Sequence, residues 1–427
     1  MKEAVTFPVN NFESIKLKML NWANQFGIFC FLDNNGYHFE APAFECLLAV
    51  GCKHNLKANA GNAFDQLKTF GRQNNGQWLF GHFGYDLKNE TEYLHSENFD
   101  GIRFPDMHFF VPEFVLKLNR EQLTIYTESG AAEIFKAVNE THTAMVSKND
   151  KPFVIESRIS KTDYIDRVKK LQAHMLRGDC YEINFCQEFF AMDAGINPVA
   201  VYKKLSAISP NPFAALYKLD DKYCIGASPE RYIKKAGNRI FSQPIKGTAK
   251  RNLSDHVADE RNRWHLVNSS KEKSEHVMVV DLVRNDLSRI CKEGTVKVEE
   301  LFGIYSFPQV HQMISTIGGE TAEGLHWVDI IKATFPMGSM TGAPKKKVME
   351  LIEAYEQTKR GVYSGAIGFV SPQSNFDFNV VIRSIVYNSS NKYLSFQAGS
   401  AITYYSEAEA EYNECLLKAQ AIKEALM

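Results

Sequence analysis

Two hydrophobic rhythms alternate along the chain, and their grouping predicts its architecture. Residues 14–25 carry apolar positions at helical spacing, after which GIFCFLDNNGYHFEA alternates like a hairpin turned at Asn34, Asn35 and Gly36. A helical stretch over 62–72 leads into WLFGHFGYDL, an apolar strand interrupted by glycines. MHFFVPEFVLKLNREQLTIYTE predicts two more strands turned at Asn119 and Arg120, and AEIFKAVNETHTAM predicts a helix. The polar run SKNDK at 147–151 is the best linker candidate, so a lobe border is expected near 150, dividing 1–150 from 151–427.

Past Lys161, the positions Tyr164, Val168, Leu171 and Met175 share one helical face, and Gly178 stands where a C-terminal cap belongs. CYEINFCQEFF reads as a strand, and Asn197-Pro198 opens a helix to about Ala207. AALYKL, KYCIGA and RIFSQPI are strand candidates with Ser228, Pro229 and Glu230 among them, which puts Lys246 at a strand end. The pattern is helical from Ser254 to about Leu287 and becomes strands and loops over 294–318. GLHWVDIIKATF is a helix ended before Pro336, MGSMTGAP a glycine-rich loop, and KKKVMELIEAYE a helix. GAIGFVS, FNVVIRSIVYN and YLSFQAGSAI read as strands, and a last helix starts at Ser406. Strands in clusters with long helices between them predict an α+β fold of large antiparallel sheets with helices outside, not a βαβ alternation.

Composition narrows the function. The 427 residues are 44% hydrophobic, enough for one large core or two ordinary ones. Lysine plus arginine (49) nearly balance aspartate plus glutamate (50), and no basic block occurs, which argues against nucleic-acid or membrane-surface partners. The eight cysteines form no CxxC pair and sit in apolar company, as reduced core thiols of a cytoplasmic protein would. The opening MKEAVTFPVN lacks an apolar leader segment, and no apolar run reaches a membrane span. A cytoplasmic globular protein, with small and anionic molecules still open as partners, is the expectation at this point.

Several polar residues then ask for an explanation. Glu272 and Glu275 lie three apart on one helical face, and Glu411, Glu414 and Lys418 share a face of the last helix, where Ser406 and Glu409 suggest a capping box. Two carboxylate pairs on two helices suit a hard divalent cation such as Mg²⁺, although acidic helix faces are commonly just solvated. Arg383, among β-branched residues, and Tyr363, beside a glycine, suggest an anion site, unless Arg383 lies on an outer strand face. Lys246 sits between an apolar approach and Gly247. A lone lysine there is ordinarily a surface residue, but it becomes a possible nucleophile if the other groups converge on it. No GxxxxGK[ST], GxGxxG or GxSxG motif is present.

Together, SPER at 228–231, PIKGT at 244–248, EHVMVVDLVRNDLSRI at 275–290, FPMGSMTGAPK at 335–345, VYSGAIGF, VIRS, QAGSAI and AEYNE resemble, in order, the motifs of the chorismate-utilising enzymes. That family includes anthranilate, aminodeoxychorismate, isochorismate and salicylate synthases. The resemblance is dense from about 160 to 425 and looser in the first 150 residues, through FCFLDNN and FGHFGYDLKN. It implies the fold of the anthranilate synthase large component, chorismate as substrate and Mg²⁺ as cofactor. It implies that Glu275 and Glu414 bind the metal directly with Glu272 and Glu411 around them. Tyr363, Arg383, Gly399, Lys418, Ser339, Gly247 and Thr248 are implied at the substrate, and Glu230 as general acid and base. Lys246 is the discriminating position: PIAGT is typical of the anthranilate-forming branch and PIKGT of the aminodeoxychorismate-forming branch, which uses a covalent lysine intermediate and leads to 4-aminobenzoate and folate. A nucleophilic Lys246 has to be neutral, which burial would favour.

Departures from the family pattern are equally specific. Gln312, next to His311, stands where the family usually has histidine, Ser339 where threonine is frequent, and Glu182 where isochorismate-forming enzymes carry lysine. The last weighs against water addition. No glutaminase set of Cys, His and Glu is recognisable, so nitrogen is expected as ammonia, supplied by a partner glutamine amidotransferase subunit. The alternatives are the anthranilate-forming enzyme and, because of Gln312, a catalytically silent chorismate-binding regulatory subunit.

Overall fold

The structure, a computed structural model, describes residues 3–37, 44–143 and 152–427. Two large antiparallel sheets lie face to face, one of 12 strands and one of 10. Ile28, Cys30, Leu47, Val115 and Tyr217 of the larger sheet bury against Phe80, Phe110 and Ile367 of the smaller. Helices cover both outer faces. Phe12–Ala23, Ala131–Glu140, Pro198–Ile208 and Ala408–Leu426 pack on the larger sheet, and Ala63–Gln73, Ser270–Ser288 and Trp327–Thr334 on the smaller. The expected α+β architecture is therefore present, as a helix, sheet, sheet, helix sandwich.

Each sheet takes strands from both sides of residue 150: Ile28–Asp33 pairs with Phe213–Leu219, and Leu79–Phe83 with Ala366–Val370. The proposed linker 147–151 and residues 38–41 of the expected hairpin lie outside the described residues. Ile28–Asp33 pairs with Cys46–Val50. Two segments expected as single strands are each divided between the sheets. Met107–Val111 belongs to the smaller sheet and Phe114–Leu118 to the larger, split where Pro112 interrupts the ladder. Phe376–Asn379 belongs to the smaller sheet and Ser384–Asn388 to the larger. The chain crosses between sheets at 380–383, where Arg383 adopts φ 50°. Apolar character on both sides hid these crossings, because a segment passing through the interior shows no period of two.

Helix starts follow their caps. Asn197 accepts the N–H groups of Val199 and Ala200 ahead of Pro198, and Ser269 accepts the Glu272 amide at 3.2 Å, each cap being worth about 1 kcal/mol. Gly178, at φ 84°, ends the Lys161–Leu176 helix as expected. The capping box at the last helix does not form. Ser406 instead accepts from the Thr403 amide at 3.1 Å, Glu409 pairs with Lys161, and Glu407 takes the cap position without a side-chain bond. Among the described residues, no helix is long and apolar enough to cross a membrane.

Candidate active site

Lys246 projects from Ile245–Lys250, a strand at one end of the smaller sheet, paired with Val310–Glu320 through an irregular register between Ile245 and Thr248. Gly247 sits in that irregularity at φ 85°, where a β-carbon would stand 3.0 Å from Glu272 Oε2, so a side chain there is disfavoured on two counts. Lys246 Nζ meets Glu182 Oε1 at 2.7 Å, with side chains 13% and 4% exposed. Glu182 begins the Glu182–Ala191 strand of the larger sheet, so this ion pair bridges the two sheets. Burial works to lower the Lys246 ammonium, but attraction to Glu182, and then to Glu275 and Glu414, outweighs it, and the pKa is raised. The neutral amine is therefore not the resting state, contrary to what burial alone implied. His276 fixes the backbone here: its Nδ1 faces the Lys246 carbonyl at 3.2 Å and its Nε2 faces Ser315 Oγ at 2.7 Å. Burial lowers this imidazole to about 4, so it is neutral. The carbonyl requires an Nδ1–H donor, and Ser315 then donates to Nε2.

Glu230 lies in the turn between Lys222–Ser228 and Arg231–Ala236 and is 4% exposed. Burial pushes its carboxyl up to about 7, against the opposing pull of the Ile245 amide, Lys246 and Arg383. Ser339 faces the same carboxyl, but its hydroxyl falls short of good hydrogen-bond geometry. Arg383, lowered to about 10 by burial with Glu230 as the opposing attraction, makes no side-chain hydrogen bond or ion pair among the described residues. A non-glycine residue at positive φ costs on the order of 1 kcal/mol. That strain holds a desolvated, unpaired guanidinium beside Glu230, the arrangement expected of a carboxylate receptor.

The residues expected at the substrate are linked through the larger sheet. Tyr363 OH lies 3.5 Å from Cys186 Sγ, and Gly399 pairs with Cys186, where a β-carbon would meet Phe185 O at 2.1 Å. Lys418 Nζ donates to Gly399 O at 3.0 Å and pairs with Glu414 at 2.7 Å. A buried arginine ties this wall together. Arg360 donates to Asn184 O, Met340 O and Glu356, while Glu356 Oε1 accepts the Cys186 amide at 2.9 Å. Thr248 is exposed and pairs in register with Gln312, so its side chain stands outside this group.

The four expected cation ligands lie on the Ser270–Ser288 and Ala408–Leu426 helices, which Lys271 bridges at Glu275 and Glu411. Lys271 Nζ stands 3.8 Å from Glu275 Oε1 and 3.5 Å from Glu411 Oε1. Burial raises Glu275 to about 7 and also raises Glu272, with Glu414 adding to the latter. Glu414, whose side chain is 46% exposed, is held low by the Lys418 ammonium 2.7 Å away. Among the described residues no three acidic, histidine or cysteine side chains converge closely enough to hold a metal ion as they stand. The donors nevertheless fit a hard cation: all are carboxylate oxygens, and Glu275 Oε1 is buried without a hydrogen-bond partner.

With this geometry in place, the chain can be assigned to a class. The family model for chorismate binding enzymes matches residues 29–424, and the chain belongs to that family. It is 34% identical over 349 residues to aminodeoxychorismate synthase component 1 of Klebsiella aerogenes, covering 80% of this chain and 75% of that one. It is 32% identical over 370 residues to anthranilate synthase component 1 of Aquifex aeolicus, covering 82% and 74%. The crystal structure of anthranilate synthase component I from Streptococcus pneumoniae superposes with a TM-score of 0.78 at 26% identity, over 90% of this chain and 93% of that one. A chorismate-utilising enzyme is what fold and sequence define.

Four supporting groups escaped the sequence reading. Glu182 was noted as a departure and not as the partner of Lys246, although a glutamate in the apolar strand CYEINFCQ carries the same signal that singled out Arg383. His276, Lys271 and the Arg360–Glu356 pair each act through partners far away in sequence. His311, beside Gln312, turns to Asp259 and Ser306, at 3.2 and 2.8 Å, so it takes no part in the Lys246 cluster, and Gln312 Oε1 is buried without a partner.

Proposed function

We propose that the chain is the chorismate-aminating component of an aminodeoxychorismate synthase. The observation that carries this reading is Lys246, buried in the PIKGT strand, paired with Glu182 and close to a Glu230 carboxyl that titrates near neutrality. Chorismate carries two carboxylates and a hydroxyl at C4 across a conjugated diene from C2. Arg383 and Lys418 offer cations for the carboxylates, with Tyr363 and the Gly399 backbone forming the wall between them. A divalent cation held by Glu275 and Glu414, with Glu272 and Glu411 around them, would supply charge neutralisation at the ring carboxylate.

Lys246 first gives its proton to Glu182, the carboxylate within hydrogen-bond reach. The amine forms a bond to C2, both double bonds of the ring diene shift by one position, and the C4–O bond breaks as Glu230 donates a proton, so the hydroxyl leaves as water. Ammonia then adds at C4, both double bonds return, and the C2–N bond breaks to release Lys246 as the free amine; the new ammonium at C4 gives a proton back to Glu230, Glu182 returns its proton to Lys246, and 4-amino-4-deoxychorismate leaves. Ammonia comes from a glutamine amidotransferase partner, in keeping with the "component 1" of the relative's name.

Incubation of the purified chain with chorismate, Mg²⁺ and an ammonium salt should yield 4-amino-4-deoxychorismate. Anthranilate or isochorismate as main product would refute the reading, and absence of turnover at every Mg²⁺ concentration would favour a silent binding subunit. Lys246→Ala should abolish the chorismate adduct detected by mass spectrometry, whereas an adduct on another lysine would remove Lys246 from its role.

A further inference from the structure

We propose that Lys271 is a built-in counter-ion of the carboxylate set, an ammonium that a divalent cation must displace in order to bind. The inference rests on the reading of Glu272, Glu275, Glu411 and Glu414 as cation ligands, and adds that the metal-free chain already carries a competitor for them.

The geometry is specific. Lys271 reaches Glu275 on its own helix at 3.8 Å and Glu411 on the facing helix at 3.5 Å, so one ammonium bridges the two elements that supply the ligands. Neither distance is a hydrogen bond, and Glu275 Oε1 remains without one. Lys271 therefore offsets charge without satisfying the oxygen, which leaves a closer cation something to gain. The other lysines at the site are committed elsewhere. Lys246 is paired with Glu182 at 2.7 Å, and Lys418 is bonded to Gly399 O and Glu414. Lys271 makes no such bond among the described residues. Its side chain is 55% exposed, against 10% for Glu275 and 3% for Glu411, so it can swing into water when displaced. Lys273, two positions on, instead places its ammonium 5.7 Å from the Phe302 ring centre and carries the same formal charge without facing the carboxylates.

This arrangement serves a site that stands without metal for part of its cycle. Buried like charges such as Glu275 and Glu411 repel, and the exposed ammonium of Lys271 offsets that repulsion at the cost of weaker cation affinity.

The test is Mn²⁺ binding to the full chain without chorismate, followed by electron paramagnetic resonance of the free ion. Removing one partly exposed ammonium that lies within 4 Å of two of the carboxylates predicts that Lys271→Met tightens Mn²⁺ binding roughly tenfold. Lys271→Arg should stay near wild type, because the charge remains, and Lys273→Met should stay within about twofold. Lys271→Gln repeats the measurement if methionine disturbs folding. Adding Glu275→Gln to Lys271→Met should abolish the gain. If Lys271→Met binds no tighter than wild type, or Lys273→Met tightens equally, the counter-ion inference is overturned while the cation site stands. If none of the proteins binds Mn²⁺, the cation reading itself falls.

Discussion

The ion pair between Lys246 and Glu182 joins two sheets, and Glu182→Gln isolates its contribution. With the partners 2.7 Å apart and 13% and 4% exposed, the substitution leaves an ammonium buried beside a neutral amide. Uncompensated buried charges of this kind typically cost 3–5 kcal/mol. Glu275 and Glu414 still attract the lysine, so the low end applies, about 3 kcal/mol. For a chain of this length that corresponds to a fall in Tm of about 3 °C. The pH dependence has a definite sign. In the wild type the folded pKa of Lys246 is raised, so its contribution is fully present below the ordinary lysine value and is lost only as pH climbs through the raised one. In the variant burial becomes the dominant influence, and the penalty is largest at low pH and shrinks as the lysine sheds its proton. Calorimetric melts at pH 6, 7.5 and 9 should therefore show a deficit that narrows with pH. A deficit under 1 °C at pH 6, or one that stays constant to pH 9, would show that Glu182 is not what holds the ammonium.

Three further outcomes follow from the same geometry. Burial lifts Glu230 from 4.5 to about 7, so wild-type stability should fall as pH rises across that window, by about 3 kcal/mol for the 2.5-unit difference; Glu230→Gln should lack this fall, and parallel pH profiles of Tm would contradict the assignment. Arg383→Lys keeps the charge and loses the planar fork, and should weaken chorismate binding by about 10- to 100-fold in calorimetric titration; unchanged affinity removes Arg383 from the anion site. Gly247→Ala, at φ 85° and 3.0 Å from Glu272 Oε2, should cost about 1–2 kcal/mol and weaken Mn²⁺ binding, and a wild-type Tm would show that neither strain nor contact matters.

How much of this was legible beforehand depends on the range over which each residue acts. The helices with clean 3.6 periodicity and local stops, such as Lys161–Leu176 with Gly178 behind it, were readable because cap and pattern lie within a few residues of each other. The sheet crossings at Pro112 and at 380–383 were not, since a chain that passes through the sandwich interior is apolar on every side. The same distinction runs through the site. Arg383, a charge among β-branched residues, announces itself locally, because burying a charge needs a reason, whereas Lys246 alone reads as an ordinary surface lysine and Glu230 enters only through the SPER motif of the resemblance. Protonation states do not announce themselves, because these are set by partners from other elements. Local context argues that burial makes Lys246 neutral, yet Glu182, 64 positions earlier in sequence and in the opposite sheet, reverses the sign. A lysine held charged chiefly by one hydrogen-bonded partner can be stable at rest and neutral on demand, provided its proton moves along that contact. The fold sets that condition by starting one strand of the larger sheet at Glu182 and placing Lys246 at the end of the smaller, so the charge state of the lysine is a property of how the two sheets meet and not of the PIKGT segment alone.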